Sequence, residues 1–100
     1  MSRNRTLQET TTADSPSEVL QAAKDFFSRQ LGIYAAFPEQ ESVSHVTLRG
    51  QGGEEIVIAA IPAGGATRVT GSTYLFDQQV ARFLATLAPV PFAVTTEGGV

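Results

Sequence analysis

The sequence contains no cysteine, a single histidine and no dense cluster of basic residues. Without cysteine the chain cannot form a disulfide framework, a thiolate nucleophile or a cysteine-type zinc site. Seven Lys and Arg stand against ten Asp and Glu, and the net charge of −3 provides no electrostatic footprint for phosphate backbones. We therefore expect no metal, no cofactor and no nucleic-acid partner.

Long apolar runs are also missing. No stretch of 18 apolar residues occurs, and residues 1–12 are too polar for the apolar region of a signal peptide. The sequence thus predicts no membrane insertion and no export signal, and it favours a cytoplasmic location.

The length and composition predict one small domain. With 100 residues, of which 42% are hydrophobic, the chain can bury only about 60–65% of its unfolded surface, so a partner or self-association would add stability. Residues 1–14 are polar and are predicted to be a flexible N-terminal arm. Residues 15–88 are predicted to form a single α+β domain, and residues 89–100 an extended C-terminal tail.

A helix is predicted to begin at Ser15. Ser15 is a favourable N-cap, Pro16 suits the first helical position, and Glu18 can complete a capping box. The apolar residues that follow recur at helical spacing: Val19, Leu20, Ala23, Phe26, Phe27 and Leu31. Gly32 is expected to end the helix.

Two turn clusters, at residues 50–53 and 62–65, divide the middle of the chain into three strand-like runs. A second helix is predicted with Asp77 as its N-cap and Val80, Phe83, Leu84 and Leu87 on its apolar side. The expected fold is α+β, with the order helix, three-stranded antiparallel meander, helix (αβββα), and with both helices on one face of the sheet.

The middle run, residues 55–61, is almost continuously apolar, as expected of a strand that is buried on both faces. Two helices on one face would leave Val57, Ala59 and Ile61 on the other, with Tyr74 nearby. Such an apolar strip commonly marks an interface. Residues 89–94 could cover this strip or add a strand to a sheet edge. The predicted interface comprises Val57, Ala59, Ile61, Tyr74, Pro89, Val90, Pro91 and Phe92.

No residue pattern indicates catalysis. His45 lacks a nucleophile elbow or a convergent carboxylate, and its neighbour Ser44 would point to the opposite face of a strand. Glu39 and Glu41 have no accompanying calcium-loop pattern, and we interpret them as solvated loop residues. Gly71 lies within the third strand, where a glycine marks a bulge or a close approach; a bulge is the favoured interpretation.

The order of elements over residues 15–88 resembles that of double-stranded RNA-binding domains, and residues 71–73 lead into the second helix in a similar way. Those domains present lysines at the start of that helix, where this chain has Asp77, Gln78 and Gln79. The order is also similar to that of a single-lobed helix-grip unit, which implies a role in binding or assembly.

The sequence therefore favours a non-catalytic protein-interaction module, which self-associates or docks into a larger complex through the outer sheet face and the C-terminal segment. The alternative is a small-ligand carrier with a cleft between helices and sheet, lined by Phe26, Phe27, Tyr34, Phe83 and Gly71. A double-stranded RNA-binding-like domain is the third possibility.

Overall fold

The computed structural model describes residues 5–90 and shows one antiparallel sheet with two helices. The elements in chain order are β1 (Thr6–Thr12), α1 (Pro16–Ser28), a short 3-10 turn (Gly32–Tyr34), β2 (Ala36–Glu41), β3 (His45–Gly50), β4 (Glu55–Ala63), β5 (Ala66–Thr73) and α2 (Asp77–Ala85). The strand order across the sheet is β1-β5-β4-β3-β2, and every neighbouring pair is antiparallel.

The expected three-stranded meander is wrong, because the sheet has five strands. The meander itself is present as β3, β4 and β5, and the α+β class holds. The two further strands lie at its edges. Residues 6–12, expected within a flexible arm, form β1 beside β5, and residues 36–41, expected to be connector and loop, form β2 beside β3.

Both helices pack on the same face of the sheet, which we call the inner face. Its buried strand residues alternate along β3, β4 and β5 and join side chains of both helices in a single core: Val46, Leu48, Ile56, Ile58, Ala60 and Val69. The opposite, outer face carries the intervening residues of each strand. No helix among residues 5–90 packs on the outer face.

The capping box predicted for α1 is confirmed. The Ser15 hydroxyl accepts a hydrogen bond from the Glu18 backbone N–H, and the Glu18 carboxylate accepts one from the Ser15 N–H. The helix ends at Ser28, earlier than the apolar pattern indicates, so Leu31 lies outside it and is 86% exposed. Gly32, with φ +59°, instead begins the 3-10 turn.

The predicted cap of α2 is wrong by one residue. Phe76 occupies the N-cap position and forms no side-chain capping bond, while Asp77 is the first helical residue. Asp77 still places a negative charge in the first turn, where the partial positive charge of the helix end favours it. Neither α1 nor α2 is long and apolar enough to cross a bilayer, and residues 5–90 contain no other candidate span.

Candidate interaction surface

The outer face is arranged in rows that run across the strands. In the row nearest the centre, Thr47 on β3 lies opposite Val57 on β4, and Val57 lies opposite Ser72 on β5. Ser72 in turn lies opposite Leu7 on β1. These four side chains are uncharged, and three of them are small. They form an uncharged row across the outer face, to which Thr47 adds little accessible surface because it is only 7% exposed.

The next two rows continue this surface. Ala59 lies between His45 and Thr70, and Ile61 lies opposite Arg68. Ile61 is 48% exposed, whereas Val57 and Ala59 are half-buried by their neighbours within the sheet. The structure therefore brings Val57, Ala59 and Ile61 together on one sheet face that neither helix covers.

A series of ion pairs, which we call the ionic border, lies beside this surface at one end of the sheet. Arg49 Nη2 lies 2.7 Å from Glu39 Oε1 and 3.4 Å from Glu55 Oε2, and Arg5 Nη1 lies 2.9 Å from Glu55 Oε1. Arg5 also donates to the Ser72 hydroxyl. These ion pairs thus link β2, β3 and β4 to the residue that precedes β1, and they place polar groups along one side of the uncharged surface.

The charges in this border hold one another ionised. The hydrogen bond from Arg49 lowers the pKa of the Glu39 carboxyl, with a smaller lowering from the positive charge itself and an opposing contribution from desolvation. The same hydrogen bond raises the pKa of Arg49. A second ion pair, Arg68 with Glu9 at 2.7 Å, lies further along β5 and β1 and raises the pKa of Arg68.

Tyr74 and the C-terminal residues of the predicted interface are placed differently. Tyr74 follows β5 within the ionic border, where the Arg5 guanidinium carbon lies 5.5 Å from its ring centroid. Pro89 and Val90 follow Ala88, whose carbonyl accepts a hydrogen bond from the Ala13 N–H beyond the end of β1. Pro91 and Phe92 lie outside the described residues.

Sequence reasoning missed the ionic border, because its members come from distant parts of the chain. Glu39 was interpreted as a solvated loop residue, and Arg5 as part of an arm. In the structure Glu39 lies on β2 and Arg5 directly precedes β1, and the strand pairings bring them to the same end of the sheet. The four Thr residues between positions 6 and 12 were the available signal for β1, since β-branched residues favour strands.

The cleft required by the ligand-carrier alternative is filled by side chains. Phe27 and Phe83 are fully buried, and their ring centroids lie 5.5 Å apart in the core. At Gly71 the space is occupied by α2, because a methyl group there would lie 2.6 Å from Val80 Cγ1. The register on both sides of Gly71 is unbroken, so the favoured bulge is wrong and close approach of the helix is the reason for glycine.

An open groove does lie at the surface between the 3-10 turn and α2. Its volume is about 570 Å³, and its walls include Ile33, Tyr34, Gln78 and Arg82. His45 is elsewhere, with Nδ1 2.6 Å from the hydroxyl of Ser42 in the β2–β3 turn. Residues 5–90 contain no cluster of three or more His, Asp or Glu side chains that could hold a metal ion.

Comparisons with known proteins support the fold alone. No protein-family model matches the sequence, and no curated protein matches it either. The structure is similar to the solution structure of the Aha1 dimer from Colwellia psychrerythraea, with a TM-score of 0.60 and 12% sequence identity. The alignment covers 84% of this chain and 92% of that chain.

Proposed function

We propose that this protein is a non-catalytic interaction module of the cytoplasm that self-associates through the outer face of its sheet. The observation that carries the proposal is the position of Val57, Ala59 and Ile61 on the face opposite both helices. Burying such apolar surface against a second copy removes it from water, at a gain of about 25 cal/mol per Å² before the costs of association.

The anatomy of the face supports this use. Its centre is uncharged. The ionic border lies at one end of it, and the Arg68–Glu9 ion pair lies further along β5 and β1. Protein interfaces commonly combine an apolar centre that is depleted in charge with a polar rim. Small side chains such as Ala59 and Thr70 also allow two sheets to pack about 10 Å apart.

The structural neighbour is in keeping with self-association, because that protein was solved as a dimer. Pro89 and Val90 are part of the proposed interface, since they follow Ala88, whose carbonyl accepts a hydrogen bond from the Ala13 N–H next to β1. The partner in this proposal is a second copy of the chain, and no nucleic acid or cofactor takes part.

The test is the oligomeric state of the purified full chain, measured by sedimentation equilibrium from low to high micromolar concentration. We expect reversible self-association that Ile61→Lys abolishes, because it replaces the most exposed apolar side chain of the three, opposite Arg68, by a second positive charge. Val43→Lys is the matched control: Val43 is 93% exposed in the turn between β2 and β3, off the outer face, and its replacement is expected to change nothing.

Both variants are checked for an unchanged thermal unfolding midpoint at low concentration, which separates loss of the contact from loss of the fold. A wild-type chain that stays monomeric throughout the concentration range would refute the proposal. So would association that Ile61→Lys and Val43→Lys weaken equally.

A further inference from the structure

A surface groove runs along the first turns of α2, on the side of the sheet that the helices occupy. Its larger part, of about 570 Å³, lies between the 3-10 turn and α2. A smaller part, of about 350 Å³, lies at the start of the helix. Tyr34, Gln78 and Gln79 line both parts, so the two belong to one continuous groove, which we call the α2 groove.

The wall of the α2 groove opposite the helix is fixed to the body of the domain. Gln51, in the turn between β3 and β4, donates a side-chain hydrogen bond of 3.1 Å to the Gly32 carbonyl and so holds the 3-10 turn. The Tyr34 ring packs against the ring of Phe76, with centroids 5.9 Å apart, and Phe76 is itself buried. The groove is therefore formed before any ligand enters it.

Exposed apolar side chains are concentrated along this groove. Eight large apolar residues are exposed among residues 5–90, and four of them line it: Leu31, Ile33, Tyr34 and Leu75. Single exposed apolar residues are ordinary, whereas several on one concave surface are typical of a binding site. The walls can thus bury the apolar part of a ligand.

Gln79 supplies the polar group of the groove that lacks a partner. It is only 8% exposed, and within the described part of the chain its side-chain amide forms no hydrogen bond. Buried polar side chains nearly always have a hydrogen-bond partner, because leaving one unpaired lowers stability. Since Gln79 lines both parts of the groove, a ligand there can provide the missing donor and acceptor.

The larger part of the groove favours a negative charge. Its one charged wall residue is Arg82, which is exposed and forms no ion pair with any residue that the structure describes. The N-cap residue of α2, Phe76, provides no side-chain acceptor for the N–H groups of the first turn, and such a helix start also attracts negative charge. The acidic residue Asp77 lines the smaller part alone.

We propose that the α2 groove binds an extended, acidic peptide segment of a partner protein. A peptide group has one donor and one acceptor, which match the carbonyl and the N–H of the Gln79 carboxamide. A carboxylate of the segment pairs with Arg82, and an apolar side chain packs against Ile33 and Tyr34. The open shape suits a chain that passes through, whereas a small-molecule site encloses most of its ligand.

The inference does not rest on self-association, because α2 lies on the inner face and the proposed self-association uses the outer face. Its test is NMR titration of the labelled full chain with a capped tripeptide of leucine, glutamate and leucine. We expect progressive shifts of the Gln79 side-chain amide and of the backbone amides of Ile33 and Arg82, with no shift at Val57 on the outer face. The same tripeptide with glutamine in place of glutamate should bind severalfold more weakly.

Gln79→Leu separates binding from folding. It replaces an unpaired buried amide by an apolar side chain of similar size, so we expect a higher thermal unfolding midpoint together with a severalfold loss of affinity for the glutamate peptide. The matched control is Gln40→Leu, at an exposed position on β2 outside the groove, which should change neither property. A lower midpoint or an unchanged affinity in Gln79→Leu would overturn the proposal.

Arg82→Gln tests the charge preference at an exposed position where the fold is not at risk. We expect this variant to bind the glutamate and glutamine peptides equally. Arg29→Gln, which removes a positive charge at the end of α1 and outside the groove, should retain the preference for glutamate. Equal affinity of the wild type for the two peptides, no binding of either, or shifts confined to the outer face would each contradict the proposed site.

Discussion

Gly71 on β5 and Val80 on α2 fit together so closely that no side chain can be added between them. A methyl group at Gly71 would lie 2.6 Å from Val80 Cγ1 and 3.3 Å from Ile58 Cδ1. All three residues are buried. Glycine at this position therefore sets the distance of α2 from the sheet.

Gly71→Ala is expected to destabilise the fold by about 1–3 kcal/mol, because overpacking displaces either the helix or the strand. Val80→Ala should also destabilise, since it leaves a cavity in the core. The double variant should lose less than the sum of the two, because the alanine methyl group would fill part of that cavity. Urea unfolding of the four proteins measures this coupling, and strictly additive effects would contradict the close contact.

Removal of the α1 cap provides a second test. Ser15→Ala deletes the hydroxyl that accepts the Glu18 N–H, and it is expected to cost about 1 kcal/mol of unfolding free energy. Ser15→Asp keeps an acceptor at the same position and adds a favourable charge, so it should retain wild-type stability. Chemical denaturation compares the three proteins. An equal loss of stability in both variants would contradict the expectation that any side-chain acceptor at position 15 can cap the helix.

The central part of the fold could be predicted because its signals are local. The Ser15–Glu18 capping box, the glycines at the hairpins and the alternation along β3 each depend on residues that are neighbours in sequence. The inner-face positions of Val46, Ile58 and Val69 follow from the two-residue period once the strands are assigned. The placement of Val57, Ala59 and Ile61 on the face away from the helices rests on the same period.

The edge strands were missed because most of what stabilises them is not local in sequence. In β1 only Leu7 is strongly apolar, and the strand is held by partners far along the chain, such as Arg68 for Glu9 and the Asp77 carbonyl for Gln8. In β2, Pro38 and two glutamates argue against a strand, yet an edge position tolerates proline and exposed charge. Long-range pairing therefore overrides composition at both edges.

The ion pair between Arg49 and Glu39 gives the outer face a dependence on pH. Because the pKa of Glu39 in the folded protein lies below its ordinary value of 4.5, its contribution to stability is complete above that value. The contribution is lost as the pH falls through the folded-state pKa. Arg49→Gln should return the pKa of Glu39 toward its ordinary value and remove this part of the acid dependence.

Carboxyl carbon NMR titration of Glu39 in the wild type and in Arg49→Gln measures the shift directly. Glu39→Gln is the companion variant: its stability should fall less steeply than that of the wild type below pH 4.5. An unchanged Glu39 titration after Arg49→Gln would contradict the role assigned to the hydrogen bond.

Leu75, between β5 and α2, has a backbone conformation that is unfavourable for its side chain. Its φ is +87°, and every other residue with positive φ among residues 5–90 is a glycine. Leu75 is 62% exposed, so burial of its side chain gains little in return for a strain of about 1–3 kcal/mol. Leu75→Gly should therefore raise the unfolding free energy by up to about 1 kcal/mol, since relief of strain exceeds the entropic cost of glycine. Leu75→Ala removes the same exposed side chain but keeps a Cβ, and it should show no such gain. Thermal unfolding of both variants decides the matter: equal stability of the glycine and alanine variants would contradict backbone strain at this position.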